Sequence, residues 1–376
     1  MAGIYVHIPF CKQACHYCDF HFSTNLSRKT ELFQSLVAEV RLQCHYLSEP
    51  VKTIYLGGGT PSLADHTELT HVLDTIRSEF EVTPDAEVTL EANPDDMSAQ
   101  RLAEFRAAGI NRLSIGVQSF DDRVLTFLNR AHNSNSALEC IPLARAAGFQ
   151  NISIDLIYAI PTQTKEQWIT NVKTAIQLQP EHISAYSLTI EEKTVFGNWS
   201  AKGKLTPVDE EMSATQFDEL ITLLEEARYE QYEISNFARP GFHSRHNSSY
   251  WQQEKYLGIG PGAHSYNGHS RQFNVANNHL YIAAITEGKV PSTIEHLSAR
   301  DRVNDYLLTT LRTSWGSDLE KLKHQTQYDL LHEKGEYVAS LVHNGLATLS
   351  DNHLRLTRRG RFLADKISSD LFIVTT

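Results

Sequence analysis

The stretch from residue 4 to residue 18, IYVHIPFCKQACHYC, decides how this sequence is interpreted. Its first five residues are rich in β-branched side chains and predict a buried strand. Cys11, Cys15 and Cys18 follow that strand directly, on a loop that can bring three thiols around one centre. Thiolates bind iron–sulfur clusters, and three of them leave one iron of a four-iron cluster without a protein ligand. The stretch therefore predicts a [4Fe-4S] cluster with one open coordination position.

A zinc site is the alternative for these three thiols. Structural zinc takes four ligands, so His7, His16 or His21 would have to complete the set. The other two cysteines do not belong to this group. Cys44 and Cys140 each fall on the apolar stripe of a helical pattern, so we expect both in the core. The spacing of the five cysteines does not suggest a disulfide framework.

Strand-like and helical segments alternate through the first half of the chain, a pattern that predicts a parallel sheet with helices outside it. The six predicted strands are residues 4–8, 53–56, 87–90, 112–117, 152–158 and 182–188. Polar runs such as GGGTP, EANP and GVQSF follow them, and parallel α/β folds bind ligands at the carboxyl ends of their strands. Six strands are too few for a closed eight-stranded barrel. We therefore expect an α/β fold with a partial (β/α)6 barrel, open on one side.

The pattern changes after the sixth predicted strand. Residues 209–229 predict a long amphipathic helix, and YEISN at 232–236 has strand character. The charged helical segments near the C-terminus and the alternating LATLSDNHLRLT predict a small, mainly helical domain with a hairpin, of the winged-helix type. We expect three units: the barrel at 1–235, an extension carrying HNSSYW and GIGPGAH at 236–290, and the small domain at 291–376.

The composition excludes several classes of protein. Hydrophobic residues make up 41% and charged residues 21% of the chain, as in an ordinary globular protein. The net charge of -11 gives no positive field for phosphates, so we expect no nucleic acid partner. The N-terminus lacks the features of a secretory signal, and no apolar run reaches about 18 residues. We expect a cytoplasmic protein.

Together these motifs resemble the radical S-adenosylmethionine (SAM) superfamily, whose signature is this cysteine spacing on a partial barrel. Within it, the chain is similar to the group of oxygen-independent coproporphyrinogen oxidases and HemW-type heme chaperones, from IYVHIPFC through GVQSF and HNSSYW to YLGIGPGAHSY. The resemblance implies that the amino and carboxylate groups of SAM bind the open iron. The positions that match SAM contacts of the family are Tyr5, Tyr17, Gly58, Gly59, Thr60, Glu91, Gln118, Arg130 and Asp155.

Three features favour a heme carrier over an oxidase. The oxidases continue their cysteine motif with Gly-Cys, whereas Cys18 is followed by Asp19 and Phe20. The oxidases usually carry an N-terminal extension before the first strand. This sequence instead enters its first strand within its first few residues. Residues 246–251, HNSSYW, match the HN-x-x-Y-W element of the heme-binding relatives. The resemblance therefore implies a heme chaperone, with a radical SAM coproporphyrinogen III oxidase as the alternative.

The same resemblance suggests heme ligands. Imidazole is a good axial ligand for heme iron, so His246 is expected to bind it. His264 is the alternative, although its matching position in the oxidases lies close to the adenine of SAM, and His243 is a weaker third choice. Arg245 or Arg271 would pair with the heme propionates.

A chaperone of this kind implies several partners. Its cofactors and cargo are a [4Fe-4S] cluster, SAM and heme, and it needs an acceptor protein for the heme. Cleavage of SAM would require an electron donor, and membrane-bound acceptors would bring peripheral contact with a membrane. We expect a carrier without coproporphyrinogen oxidase activity, and cleavage of SAM stays an open alternative.

Overall fold

The structure, a computed structural model, describes residues 2–374. The strands of its first half are Ala2–Ile8 (β1), Val51–Gly58 (β2), Val82–Ala92 (β3), Arg112–Gln118 (β4), Ile152–Tyr158 (β5) and His182–Ser187 (β6). The helices between them are Lys29–Leu42 (α1), His66–Glu79 (α2), Ala99–Ala107 (α3), Asp122–Phe127 (α4), Ser134–Ala146 (α5) and Lys165–Gln177 (α6). Strands β1 to β6 pair in parallel and in chain order, which confirms the predicted parallel sheet.

Later segments extend this sheet at both edges. They are Val195–Ala201 (α7), Glu210–Glu226 (α8), Glu230–Gln231 (β7), Asn236–Ala238 (β8), Arg245–Trp251 (α9), Lys255–Ile259 (β9), His264–Tyr266 (β10), Ser270–Asn274 (β11), Asn278–Thr286 (α10) and Ser292–His296 (β12). Strand β8 pairs with β6, and β9 pairs in parallel with β1. The order is β12-β11-β10-β9-β1-β2-β3-β4-β5-β6-β8-β7. Within the described residues the two end strands do not pair, so the predicted partial barrel is confirmed as open.

Alternation along the strands separates a polar lumen from an apolar outer layer. In β4, the side chains of Leu113 and Ile115 are buried in the main core, under the surrounding helices. Those of Arg112 and Ser114 face the lumen instead. Successive strand residues point to opposite faces, and each core Leu or Ile that is buried contributes about 1.5–3 kcal/mol. The outer face therefore holds the fold together, and the lumen is left free for a ligand.

The final segments form a second core. They are Ala299–Thr310 (α11), Ser317–Asp318 (β13), Leu319–Thr326 (α12), Leu330–His343 (α13), Ala347–Ser350 (β14), His353–Leu356 (β15), Arg358–Arg361 (α14) and Ala364–Leu371 (α15). The antiparallel pair β14–β15 confirms the predicted hairpin, and β13 completes a three-stranded sheet. The unit packs on the barrel through Arg358, whose guanidinium donates to Asp218 of α8 at 2.8 Å. The predicted domain boundaries stay predictions.

Two local predictions are wrong. YEISN is not one strand, because the chain turns at Ile234 between β7 and β8, and that turn is held by a hydrogen bond from Gln231 to its carbonyl at 3.0 Å. Cys44 is not a core residue, because α1 ends at Leu42 and the thiol lies in the following turn, partly exposed. The helical spacing of apolar residues continues in the sequence beyond the end of α1, which is why Cys44 was assigned to the core. Cys140, by contrast, is confirmed as a fully buried core residue.

Candidate cofactor site

The lumen and the carboxyl ends of β1 to β6 enclose a cavity of 470 Å³. Three thiols and eight of the nine residues expected to contact SAM line it: Cys11, Cys15, Cys18, Tyr17, Gly58, Gly59, Thr60, Glu91, Gln118, Arg130 and Asp155. We refer to it as the thiol cavity. Tyr5 is the exception, because it lines a second cavity, described below. Segments up to 144 residues apart in sequence thus meet at one place, as expected for parallel strand ends.

Backbone hydrogen bonds fix the loop that carries the thiols. The N–H of Cys11 donates to the carbonyl of Ser23 at 3.1 Å, and the N–H of Cys18 donates to that of Cys15 at 3.3 Å. Burial raises the pKa of the Cys18 thiol to about 12 and also raises that of Cys11. A thiol must lose its proton to bind metal, so loading of this site releases protons and is favoured by a higher pH.

The histidines that could complete a zinc site are engaged elsewhere. His7 and His16 are hydrogen-bonded to backbone carbonyls at 2.9 and 3.0 Å, and His21 is hydrogen-bonded to an asparagine at 2.7 Å. Within residues 2–374, no three side chains of His, Cys, Asp or Glu converge on a point that could hold a single metal ion. Three thiols without a fourth ligand fit an iron–sulfur cluster with an open iron.

Arg130 places a positive charge beside the thiols. Its Nη2 donates to the side chain of Asn93 at 2.6 Å and to the carbonyl of Gly116 at 2.7 Å, and its Nη1 donates to the Sγ of Cys15 at 3.3 Å. Its Nε is buried and finds no acceptor among the described residues. A guanidinium held this firmly, with one donor to spare, is suited to a carboxylate such as that of SAM.

Two carboxyl groups lie in the same cavity. Glu91 accepts hydrogen bonds from the hydroxyl of Tyr55 at 2.8 Å and from the N–H of Gly58 at 3.0 Å. Burial raises the pKa of Glu91 to about 7 and that of Asp155 to about 6. Acids together with Arg130 suit a zwitterionic ligand that carries both an amino and a carboxylate group.

The glycine run after β2 lets the chain lie directly against β1. Gly58 has a φ of +112°, and a Cβ there would lie 2.5 Å from the ring of His7. A Cβ on Gly59 would lie 2.7 Å from the carbonyl oxygen of Phe10. Both positions therefore need glycine, and the loop they form presents Thr60 to the cavity.

A second cavity, of 640 Å³, lies beside the first. We call it the aromatic groove, and it is defined by Tyr5, Phe20, Tyr250, Tyr256, Tyr266, His264 and Arg271. The ring of His264 is exposed and stacks on Phe273 at 5.6 Å between centroids. Arg271 forms an ion pair with Asp305 of α11 at 2.5 Å. Asp19 and Phe20 line both cavities, so the cluster loop forms a shared wall.

His246 lies behind the aromatic groove, at the amino ends of the strands. Its Nδ1 is hydrogen-bonded to Thr53 and its Nε2 to the hydroxyl of Tyr250, both at 2.8 Å. The ring is 1% exposed and stacks on Tyr55 at 5.0 Å, and burial lowers its pKa to about 3. Both ring nitrogens are thus occupied. His243 lies outside the groove, hydrogen-bonded to a glutamate at 3.2 Å.

Sequence reasoning missed three residues of the thiol cavity. Tyr55 supports Glu91, Asn93 supports Arg130, and Arg112 lines the floor of the lumen. Asn93 belongs to the EANP run, and Tyr55 and Arg112 fall on the inward positions of their strands. Side chains alternate between the two faces of a strand, so the alternation along β2 and β4 could have indicated that Tyr55 and Arg112 point inward.

Comparison with known proteins gives one consistent result. Residues 5–175 match the radical SAM superfamily, and residues 297–363 match the HemN C-terminal domain. The chain is 35% identical over 371 residues to the heme chaperone HemW of Bacillus subtilis, covering 98% of each chain. It is also 35% identical to HemW of Mycobacterium tuberculosis H37Rv, covering 97% of this chain and 93% of that one.

A solved structure supports the fold. That of coproporphyrinogen III oxidase HemN from Escherichia coli matches with a TM-score of 0.85 and 23% identity, covering 99% of this chain and 90% of that one. The radical SAM superfamily carries a [4Fe-4S] cluster and SAM, and the cluster supplies an electron to the sulfonium of SAM when both are bound. This chain belongs to the HemW family of heme chaperones, within the radical SAM superfamily.

Proposed function

We propose that this protein binds heme and transfers it to an acceptor protein. Cys11, Cys15 and Cys18 hold the [4Fe-4S] cluster. SAM contacts the eight predicted residues that line the thiol cavity: Tyr17, Gly58, Gly59, Thr60, Glu91, Gln118, Arg130 and Asp155. The observation that carries the proposal is a second cavity beside the first, with aromatic walls, an exposed imidazole and a guanidinium.

The aromatic groove suits a flat, largely apolar macrocycle with charged edges. Rings of Phe20, Tyr256 and Tyr266 supply apolar area against which a porphyrin packs. Its volume of 640 Å³ lies in the range of small-molecule sites. The thiol cavity instead carries the three thiols, Glu91, Asp155 and Arg130, which suit the cluster and its zwitterionic ligand.

Of the three histidines that line the groove, His264 is the exposed one, whereas His7 and His21 are hydrogen-bonded and less exposed. The ring of His264 is exposed and belongs to β10, the third strand from the β12 edge of the sheet. His246, the first choice from the sequence, would have to give up both of its hydrogen bonds to bind iron. In the structure His246 is hydrogen-bonded to the hydroxyl of Tyr250 and so positions this residue of the groove wall. We assign the iron to His264 and keep His246 as the alternative, in a conformation with α9 displaced.

Arg271 is the better placed of the two candidate partners for the heme propionates. It lines the groove, whereas the guanidinium of Arg245 donates to the backbone carbonyl of Asp85 at 2.7 Å, outside it. Arg271 is paired with Asp305, so a propionate would share or replace that carboxylate. A guanidinium donates two parallel hydrogen bonds to carboxylate oxygens in one plane, which suits this exchange.

Heme titration of the reconstituted protein tests the proposal. We expect a saturable complex with a shifted visible absorption band. His264→Ala should change the position of the band, because the axial ligand is lost, while His246→Ala should weaken binding without moving the band. His332→Ala is the matched control, since that imidazole is 81% exposed and far from both cavities in sequence. A wild-type protein that shows no band shift contradicts heme binding.

The reverse pattern for the two histidines would assign the iron to His246. A band shifted by His246→Ala and unchanged by His264→Ala contradicts the placement in the groove but leaves heme binding intact. The oxidase alternative is tested in the same preparation by anaerobic incubation with reductant, SAM and coproporphyrinogen. We expect no protoporphyrinogen from that incubation.

The proposal extends to location and partners. No helix among residues 2–374 has the length and apolar character needed to cross a bilayer. We place the protein in the cytoplasm, where thiols stay reduced and available for a cluster. An electron donor would be needed if SAM is cleaved. Membrane-bound heme acceptors would bring peripheral contact with the membrane.

A further inference from the structure

The chain between α4 and α5 contacts the cluster loop, residues 11–18, at or next to the central thiol. The N–H of His16 donates to the carbonyl of Leu128 at 3.1 Å. The Nη1 of Arg130 donates to the Sγ of Cys15 at 3.3 Å. The segment that carries the guanidinium expected to bind SAM is therefore attached directly to the loop that carries the thiols.

Asn129 lies between these two contacts and is hydrogen-bonded to the loop through both ends of its side-chain amide. Its Nδ2 donates to the carbonyl of Ala14 at 2.7 Å, and its Oδ1 accepts from the Nε2 of Gln13 at 2.8 Å. The same Nε2 also donates to the backbone carbonyl of Asn129 at 3.1 Å. Three hydrogen bonds thus join one residue to the two loop residues that directly precede Cys15.

The backbone of Asn129 has a left-handed conformation, with a φ of +58°. Asparagine adopts this conformation more readily than most residues other than glycine. Its N–H donates to the carbonyl of Thr126 at 3.1 Å, and that of Arg130 donates to the carbonyl of Leu125 at 2.9 Å. These bonds hold the turn that ends α4. Asparagine fits this turn and also carries an amide that reaches the loop, which glycine would lack.

Asn129 lies outside the wall of the thiol cavity, whereas its neighbour Arg130 lines it. Any effect of Asn129 on a ligand in the cavity therefore passes through the residues it holds. The guanidinium of Arg130 is already fixed to Asn93 at 2.6 Å and to Gly116 of β4 at 2.7 Å. The position of the thiol loop relative to that guanidinium thus depends on the contacts of Asn129.

We propose that Asn129 is a positioning residue of the cofactor site, which fixes the central thiol at a set distance from the guanidinium of Arg130. The inference rests on the proposed binding of the cluster by the three thiols and of the SAM carboxylate by Arg130. One SAM molecule has to reach both the open iron and the guanidinium, so a loop that is free to shift binds it less tightly. Residues that orient the ligands of a metal site commonly change its affinity or activity about 10- to 100-fold when they are replaced.

Titration of SAM into the anaerobically reconstituted, reduced, full-length protein tests this inference, with the EPR signal of the cluster as the readout. Asn129→Gly keeps the left-handed backbone and removes the amide. We expect the cluster to form, because the three thiols remain, and SAM affinity per cluster to fall about tenfold or more. Asn352→Gly is the matched control, because Asn352 has a φ of +59° and lies in the hairpin of the second core. It should bind SAM like the wild type.

Asn129→Asp covers the case in which the glycine variant does not fold. Its carboxylate still accepts from Gln13 but cannot donate to the carbonyl of Ala14, so SAM affinity should again fall about tenfold. Circular dichroism of each variant measures whether it is folded. The EPR signal of the reduced cluster without SAM should match that of the wild type in both variants, because the ligands of the cluster are unchanged.

Wild-type SAM affinity in either folded variant overturns the inference and leaves the proposed function intact. An equal loss of affinity in Asn352→Gly also overturns it, because a general loss of stability would then explain the effect. A wild-type protein that forms no cluster, or whose signal does not respond to SAM, overturns the proposed cofactor site and the positioning role with it. Heme titration of the same samples reports separately on heme binding, because it probes the aromatic groove.

Discussion

The thiol cavity and the aromatic groove share a wall but differ in construction. The first is built from strand ends and carries three thiols, four carboxyl groups and two guanidinium groups in its wall. The second lies between strands β9 to β11 and helix α11, and its wall carries five aromatic and three imidazole rings. Charged groups suit a zwitterionic cofactor, and rings suit a flat macrocycle. This difference supports the proposal that cofactor and cargo occupy separate sites, with Asp19 and Phe20 between them.

The largest effect is expected for the thiols. Cys15→Ala should abolish the [4Fe-4S] cluster, because two protein ligands do not hold it, and heme binding in the groove should persist. Iron and sulfide content and the visible spectrum of anaerobically reconstituted protein measure this. Cys44→Ala, at a partly exposed thiol outside the cavity, should keep the full cluster. Full iron content in Cys15→Ala would contradict the assignment of the cluster to the thiol cavity.

A buried carboxyl anchors β11 and the turn after β9, beside the groove. Glu39 of α1 accepts hydrogen bonds from the N–H of Gly260 at 2.7 Å and from Asn274 and Tyr281 at 2.6 Å. Burial raises its pKa to about 7 from an ordinary value of 4.5. The folded protein thus keeps this proton where the unfolded chain has released it. Stability from this group is full below about pH 4.5 and is lost, by about 3 kcal/mol, as pH rises through 7.

Denaturant unfolding of the cluster-free protein at several pH values tests the role of Glu39. The unfolding free energy of the wild type should fall between about pH 4.5 and 7. In Glu39→Gln this fall should be smaller by about 3 kcal/mol. Part of the decline should remain, because burial also raises the pKa of Glu91 and Asp155. An unchanged slope in the glutamine variant would show that Glu39 is ionised in the folded protein throughout this range.

Arg130 should matter for SAM and not for heme. Arg130→Gln is expected to weaken SAM binding about 100-fold, since charge-assisted hydrogen bonds contribute about 1.5–3 kcal/mol. Equilibrium binding to reconstituted protein gives the affinity, with iron content measured in parallel to exclude loss of the cluster. Arg123→Gln is the control. A tenfold loss of heme affinity in Arg130→Gln would contradict the separation of the two cavities.

The smallest effect is expected at the propionates. Arg271→Gln should weaken heme binding about tenfold, the effect of one charged hydrogen bond at a half-exposed site. The loss should shrink at high salt, because an exposed ion pair is screened. SAM affinity should not change. Equal heme affinity in the variant and the wild type would place the propionates elsewhere.

The thiol cavity could be predicted from the sequence because its residues follow strands in short runs. CKQAC, GGGTP and EANP each mark a strand end, and parallel strands bring their ends together. Arg112 was missed because a charged residue at the start of a strand is usually at the surface, and only the curvature of the sheet around the lumen makes it a buried cation. Tyr5 was expected in this cavity, and its side chain lies in the other one.

The aromatic groove could not be predicted in the same way. Tyr5, Tyr250, Tyr266 and Asp305 come from four separate elements, and no local pattern connects them. They meet because β9 pairs with β1, a pairing across about 250 residues that depends on tertiary packing. Family resemblance pointed to His246 and His264, but only the structure shows that the first has both ring nitrogens occupied.

Simultaneous binding of SAM and heme tests the central claim most directly. Heme is titrated into cluster-reconstituted protein, once alone and once with SAM at saturation, and the two affinities are compared. Separate cavities predict one heme per chain in both titrations, with SAM retained in the complex. Release of SAM by heme, or competitive weakening of heme binding by SAM, would contradict the account.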